Sequence, residues 1–139
     1  MTTQSKTVHI STKGNCDIID ITSEIAKEIR NSTISSGIAT IFVTGSTAGV
    51  TTIEYESGLL KDYKDMWERN MPSSIVYKHD QRWGDGNGYS HVRSSVQGPS
   101  LVVPFSNKKM MLGTWQQIVV VDFDNRPRSR EIVLQLLGD

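Results

Sequence analysis

The 139-residue sequence contains only one cysteine, Cys16, so no disulfide can form within the chain and a cysteine-rich zinc site is excluded. It also lacks an excess of either charge, because 15 basic residues balance 15 acidic ones. This balance argues against a general nucleic-acid-binding protein, whose surface is usually basic. The sequence has no apolar secretory segment and no apolar run near the ~20 residues of a membrane-spanning helix. These absences predict one cytoplasmic domain over residues 1–139, with no nucleic-acid or membrane partner.

The hydrophobic pattern predicts an α+β fold of about seven strands and two or three helices. Apolar residues recur at helical spacing in residues 23–31 and again from residue 57 to Pro72, which ends the second helix. The predicted strands are residues 6–11, 16–21, 38–43, 100–105, 110–112, 115–123 and 131–137. The first two strands are predicted to form a hairpin, and residues 73–91 to be irregular. Because the strands cluster late in the chain, we expect largely antiparallel pairing.

Small hydroxyl-bearing residues dominate residues 44–52 and suggest a first candidate site. Ser46 and Thr47 offer hydroxyl groups, and the backbone near Gly45 and Gly49 offers N–H groups that can cradle an anion. No lysine follows in the manner of a nucleotide-binding P-loop. An ordinary polar connection between strands remains the alternative.

Two glutamates, Glu54 and Glu56, follow this segment. If the backbone is extended there, both carboxylates lie on one face and could bind a metal or act as acid and base. Two exposed glutamates would equally suit the positive N-terminal end of the helix that follows.

Two of the three histidines, His79 and His91, flank a glycine-rich loop and lie near Asp80 and Asp85. Imidazoles and carboxylates together can bind zinc or another divalent ion. Their spacing matches no standard zinc or calcium motif, so ordinary surface residues remain the alternative. His9 alternates with Val8 and Ile10, which indicates a solvated strand face.

Polar residues interrupt the apolar sequence at two later points. Thr114 and Gln116 flank Trp115 beside a buried strand, and they need polar partners from a ligand or another subunit. Gly113 before them indicates a bulge or a close backbone approach. Three arginines, Arg126, Arg128 and Arg130, could hold a phosphate group or form a solvated turn.

Several of these segments resemble the YjbQ family, which is labelled as secondary thiamine-phosphate synthases. The matching stretches run in order along nearly the whole chain: Gly-Ser-Thr-Ala-Gly-Val-Thr at 45–51, Glu54, Tyr-Lys-His-Asp at 77–80, Asn-Gly-Tyr-Ser-His at 87–91, Gly-Pro-Ser-Leu at 98–101, Leu-Gly-Thr-Trp-Gln at 112–116, and Val-Asp-Phe-Asp-Asn-Arg-Pro-Arg-Ser-Arg at 121–130. The Gly-Thr-Trp-Gln segment is the most specific of them.

The resemblance implies a β-sandwich-like core of two sheets in a homotrimer or a multiple of it. It implies a pocket near the subunit boundary and a reaction that joins a hydroxymethylpyrimidine pyrophosphate to a thiazole phosphate. Glu54 and His91 are then expected as catalytic residues, and His79 and His91 as ligands of a divalent metal, Mg²⁺ or Zn²⁺. The residues expected to bind the phosphorylated small molecule are Ser46, Thr47, Thr114, Trp115, Gln116, Arg126, Arg128 and Arg130.

Two departures from the family pattern lower the expected activity. Most family members have a pattern similar to His-Thr-Thr-Ala or His-Thr-Ser-Ala where this chain has Gly45 and the three residues after it. The family's His-Ala-His pattern corresponds to residues 89–91, where Tyr89 replaces the first histidine. Two histidines that are expected as ligands are therefore missing. The alternatives are a ligand-binding or structural oligomer without catalysis, and a metal-dependent hydrolase that uses His79, His91 and Glu54.

Overall fold

Alternation of apolar and polar residues folds the chain into two antiparallel sheets that pack against each other. The computed structural model describes residues 1–139. Its eight strands are β1 Thr2–Thr12, β2 Asp17–Asp20, β3 Gly37–Val43, β4 Ala48–Ile53, β5 Ser100–Ser106, β6 Lys109–Met110, β7 Gln117–Asp122 and β8 Arg128–Gly138. Its four helices are α1 Thr22–Asn31, α2 Ser57–Asn70, α3 Lys78–Trp83 and α4 Gly88–Gln97. The predicted α+β class and two-sheet architecture are confirmed.

The larger sheet has five strands in the order β1-β8-β3-β5-β6, with the long β8 paired on both sides. Ile132, Leu134 and Leu136 alternate along β8 and are fully buried. They belong to a core that also contains Ile25 and Ile29 of α1 and apolar residues of the second sheet. The inner face of this sheet is therefore covered by the second sheet together with α1.

The smaller sheet has three strands in the order β2-β7-β4. Ile118 and Val120 of β7 join the large core, whereas Val119 and Val121 join a second cluster with Trp67 of α2. Because both faces of β7 are covered, its sequence is continuously apolar, which is typical of a strand buried on both sides. The prediction of a central, well-buried strand here is confirmed.

Three local predictions are wrong. The first two strands do not form a hairpin, because β1 pairs with β8 and β2 pairs with β7 in the other sheet. The turn between them has positive φ at Gly14, Asn15 and Cys16, and it carries the chain from one sheet to the other. The polar segment 44–52 becomes strand β4 from Ala48 onward, and residues 73–91 contain α3 and the start of α4. No helix has the combination of length and apolarity that crossing a bilayer requires.

Candidate functional site

The pairing of β4 with β7 divides the candidate residues into two groups. Ala48 lies opposite Asp122 at one end of this pair, and Ile53 lies opposite Gln117 at the other. Six residues of extended chain separate the two ends by roughly 17–20 Å. Within one chain, Ser46, Thr47 and the histidines therefore lie at one end, and Glu54 and the Gly-Thr-Trp-Gln segment lie at the other.

A buried charged network occupies the first end. Asp122 and Asp124 are both fully buried. Arg130 donates two hydrogen bonds to Asp122, at 2.8 and 2.9 Å, and a third to the Thr47 hydroxyl at 2.7 Å. Arg128 pairs with Asp124 at 2.7 Å, and Thr47 donates to the same carboxylate at 3.0 Å. The network joins the start of β4 to the turn between β7 and β8.

This network changes the expected role of the arginines. The charges of Arg128 and Arg130 are balanced by Asp124 and Asp122, and the Thr47 hydroxyl already has two partners. Burial alone would raise the pKa of Asp124, but hydrogen bonds from the Asn125 backbone and from Arg128 hold it below its ordinary value. Of the three arginines predicted to bind a phosphate group, only Arg126 is exposed and has no ion-pair partner. Ser46 is also exposed, so its hydroxyl group is available to a ligand.

The two histidines of the glycine-rich region come together near this network. His79 of α3 and His91 of α4 stack with ring centroids 4.4 Å apart. The His79 Nδ1 atom lies 3.4 Å from Asp85 Oδ1 and 3.9 Å from Asp80 Oδ1. This nitrogen is buried and has no hydrogen-bond partner. The structure therefore brings His79 together with Asp80 and Asp85, and places the His91 ring against His79.

Local hydrogen bonds explain why this segment folds as two short helices. Asp80 accepts hydrogen bonds from the Tyr77 backbone at the start of α3 and from the Gly88 backbone at the start of α4. Gly84 ends α3 with a left-handed φ of +70°. A Cβ atom at Gly88 would lie 2.5 Å from the Tyr77 Cβ, so only glycine allows this approach of the helices. Asp80 is therefore the residue that holds α3 and α4 together.

Burial lowers the pKa of His91 below its ordinary value of 6.5, and the neighbouring His79 lowers it further. The carboxylates of Asp124 and Asp85 oppose this shift but do not cancel it. Asn87 lies between these two carboxylates, and its amide donates to Asp124 at 3.3 Å in one orientation and to Asp85 at 3.0 Å in the other. His91 is therefore neutral near pH 7, which is the form that binds metals or accepts protons.

The donor set fits a divalent metal ion. Ligand atoms of His79, Asp80 and Asp85 lie within 4.8 Å of one another. One imidazole with carboxylates suits zinc, manganese or magnesium better than a softer metal. The unpartnered Nδ1 of His79 faces this group, whereas His91 stacks against the His79 ring outside it. Glu54 lies beyond the far end of β4, so it does not join the histidines within the chain.

At the Glu54 end of the strand pair, the Gly-Thr-Trp-Gln segment forms a turn before β7 that side-chain hydrogen bonds hold in place. Gln116 accepts a hydrogen bond from the Gly113 backbone at 3.0 Å and donates one to the Thr52 hydroxyl at 3.0 Å. Gly113 precedes the strand and makes no close backbone approach, so the predicted bulge is absent. Gln116 holds the turn, while Thr114 and Trp115 are exposed. Thr114 and Trp115 are thus the members of this segment that can contact a ligand.

The two positions expected to depart from the family pattern, Gly45 and Tyr89, have different surroundings. Gly45 has a φ of +156°, and a Cβ atom there would lie 2.7 Å from Arg130 Nη1. Tyr89 is buried, with the Arg93 guanidinium 4.8 Å from its ring centroid. Residues two apart on a helix point about 200° apart, so a side chain at 89 does not share a face with His91. A histidine at position 89 would therefore not point in the same direction as His91.

Sequence reasoning did not single out Asp122 as a functional-site residue and gave Asp124 no role. A signal was available, because Asp122 and Asp124 alternate with apolar residues in a buried run. Carboxylates are almost never fully buried unless they are paired, so such residues indicate a partner close by. The arginines four and eight positions later supply it.

Comparison with known proteins gives a consistent result. A family model described as "UPF0047 protein YjbQ-like" matches residues 6–139. A UPF0047 protein of Archaeoglobus fulgidus is 32% identical over 128 residues, which cover 92% of this chain and 97% of the relative. The UPF0047 protein YugU of Bacillus subtilis is 35% identical over 134 residues, which cover 96% and 98%.

Solved structures match over nearly the whole length. A YbjQ-like protein of unknown function from Sulfolobus solfataricus has a TM-score of 0.92 at 30% identity, with 99% of each chain covered. A hypothetical protein of Aeropyrum pernix has a TM-score of 0.89 at 25% identity, covering 98% of this chain and 99% of its own. None of these relatives carries a name that states a reaction or a ligand.

Proposed function

This chain belongs to the UPF0047 family of YjbQ-like proteins, and from that premise we propose that it binds a divalent metal ion at His79, Asp80 and Asp85 and uses the site to handle a small phosphorylated molecule. The observation that carries the proposal is the buried Nδ1 of His79, which has no hydrogen-bond partner and faces two carboxylates. Buried polar atoms in folded proteins are rarely left unpaired, and a metal ion held between this nitrogen and the carboxylates would satisfy it.

A bound divalent ion would neutralise and polarise the oxygens of a phosphate group. The chain itself supplies the remaining groups around that position. The imidazole of His91 stands against His79 and interacts with the Ser46 backbone, so it lies beside the hydroxyl group of Ser46. Ser46 is exposed and Arg126 has no ion-pair partner, so both can contact an anion. We expect these groups to bind and orient the phosphorylated molecule.

The reaction class follows from the family resemblance. In a thiamine-phosphate synthase, the thiazole nitrogen forms a bond to the methylene carbon of the pyrimidine, the carbon–oxygen bond breaks, and pyrophosphate leaves with the electron pair. Catalysis then requires groups that stabilise the negative charge of the leaving pyrophosphate. Because Arg128 and Arg130 are balanced by carboxylates, this chain has few cations for that purpose. We therefore propose a weak synthase activity.

Glu54 and Trp115 belong to the same proposed site only if a second copy supplies them. Within one chain they lie at the opposite end of β4 and β7 from the histidines. The outer face of the larger sheet exposes Ile38, Phe42 and Val102, a surface that suits contact with another copy. We propose a homotrimer, or a multiple of it, in which Glu54, Thr114 and Trp115 of one copy face His79 and His91 of the next.

The second candidate function is ligand binding without catalysis. The balanced charges around Arg128 and Arg130 favour it, because they leave an ordered polar site with little excess positive charge. A metal-dependent hydrolase that uses Glu54 with both histidines has less support, because Glu54 is remote from them within the chain. Incubation with the two phosphorylated precursors separates these functions, since only the synthase releases pyrophosphate and thiamine phosphate together.

Metal titration tests the central proposal. We expect the metal-free protein to bind one Zn²⁺ or Mn²⁺ per chain in isothermal titration calorimetry, and His79→Ala to weaken binding at least tenfold, as loss of one ligand should. His9→Ala is the matched control, because His9 lies on β1 away from the cluster. Equal affinity of His79→Ala and the wild type, or no binding by the wild type, would show that this cluster is not a metal site.

A further inference from the structure

A cleft lies at the end of the smaller sheet away from the histidines. It has a volume of about 290 Å³ and is lined by Glu54, Tyr55, Glu56, Trp115 and Gln117. A neighbouring cleft of about 420 Å³ shares Glu54 and Trp115 with it. The two openings are of the size of a small-molecule site. None of the residues that line either cleft is basic.

The charge in this cleft is negative and has no counterion within the chain. The Glu54 carboxylate has neither an ion pair nor a hydrogen bond, although it lines both clefts. Glu56 accepts hydrogen bonds from the backbone of Gly58 and Leu59, and these lower its pKa. The Glu56 carboxylate is thus engaged at the start of α2, and only Glu54 is free to bind an incoming group.

Two aromatic rings stand beside these carboxylates. Trp115 is 72% exposed and Tyr55 is 44% exposed. The Tyr55 ring is held by a hydrogen bond that its hydroxyl donates to the Ile18 carbonyl at 2.8 Å, and Gln116 fixes the backbone turn that carries Trp115. An exposed aromatic ring next to a free carboxylate attracts a cation through its π-face, and the carboxylate adds its charge.

We propose that Glu54, Tyr55 and Trp115 form a binding site for a small organic cation with an alkylated or planar charged group. A hydrated metal ion would not need the aromatic rings, and a neutral ligand would not need Glu54. The phosphate part of a ligand would be repelled by both glutamates, so this cleft suits a cationic part or a separate cation. This site lies at the other end of β4 from the histidine cluster, so the inference does not rest on the proposed metal.

Choline and its uncharged analogue 3,3-dimethylbutan-1-ol are the probes for a test in buffer with EDTA. The readout is the indole N–H resonance of Trp115 in a proton–nitrogen NMR spectrum. Trp83, which is exposed and lies beside Arg82, provides an internal reference signal. We expect choline to shift the Trp115 signal saturably and to bind about fivefold more tightly than the alcohol, as an exposed cation–π contact predicts.

Two variants and their controls locate the contact. Glu54→Gln should weaken choline binding by about fivefold through loss of the charge, whereas Glu131→Gln, an exposed glutamate on β8, should leave it unchanged. Trp115→Ala should abolish binding, measured then by calorimetry, and Trp83→Ala should not. Equal binding of choline and the alcohol, no saturable shift of the Trp115 signal, or unchanged affinity in Glu54→Gln would each overturn the proposal.

Discussion

Asp122 and Asp124 are the residues on which the position of the hydroxyl segment depends. Both are fully buried, and together they accept hydrogen bonds from Thr12, Thr47, Arg128 and Arg130. Removal of one partner from such a pair leaves an uncompensated buried charge, which costs more than the intact pair contributes. The role of these carboxylates is therefore to position Ser46 and Thr47 beside His91 rather than to contact a ligand.

Replacement of Asp122 by alanine tests this role. We expect Asp122→Ala to lower the free energy of unfolding in urea by about 3–5 kcal/mol, because Arg130 then stays buried without its partner. The double variant Asp122→Leu with Arg130→Met should regain much of the loss, since two apolar side chains replace the pair. Asp62→Ala, an exposed position on α2, is the control and should change stability by less than about 0.5 kcal/mol. A small effect of Asp122→Ala would mean that the network does not hold the loop.

At the scale of elements, long periodic segments could be predicted from the sequence and short capped ones could not. Helix α1 and strand β7 carry enough apolar residues for their periods to be recognised, and both lie close to their predicted positions. Helix α3 has six residues and no buried side chain, so it shows no hydrophobic period. Its position is set by Asp80, which accepts one hydrogen bond from the Tyr77 backbone at the start of α3 and another from the Gly88 backbone of α4.

The candidate site shows the same limit. Proximity of His79, His91 and Asp85 could be predicted, because a short glycine-rich loop separates them in the sequence. The neutralisation of the arginines could not, because it depends on the register that sets Ala48 opposite Asp122. The distance between Glu54 and the histidines likewise follows from the pairing of β4 with β7. The polar composition of residues 48–53 did not indicate a strand, so this pairing could not be predicted.

Gly88 is the position at which the packing of α3 against α4 can be tested. We expect Gly88→Ala to destabilise the protein by about 1–3 kcal/mol, because the added Cβ would lie 2.5 Å from the Tyr77 Cβ and must displace it. The same change should weaken metal binding, since Asp80 hydrogen bonds to the Gly88 backbone. Gly113→Ala is the matched control, because its nearest neighbour would lie at an ordinary 3.7 Å. Urea unfolding and metal titration measure both effects, and equal behaviour of the two variants would contradict the argument.

At the scale of the whole molecule, the two candidate ligand regions lie at opposite ends of one strand pair. No rearrangement of side chains can bring Trp115 to His79 across the length of β4 and β7. A closed cyclic oligomer can do so. In such a ring, the Trp115 end of each copy can contact the His79 end of the next copy. A site that combines Trp115 of one copy with His79 of the next therefore requires the proposed trimer, with these two residues facing each other across the subunit boundary.

Mixed oligomers test this requirement. His79→Ala disables the histidine half of the proposed site and Trp115→Ala disables the other half, so neither variant alone should form thiamine phosphate. If each site combines two neighbouring copies, refolding the variants together in equal amounts leaves about one quarter of the sites intact. Formation of thiamine phosphate should then return to about one quarter of the wild-type rate. A mixture of His79→Ala with His91→Ala is the control and should stay inactive, because both changes fall in the same half. No recovery in the first mixture, or light scattering that shows a monomer, would place each site within a single chain and remove the reason for the trimer.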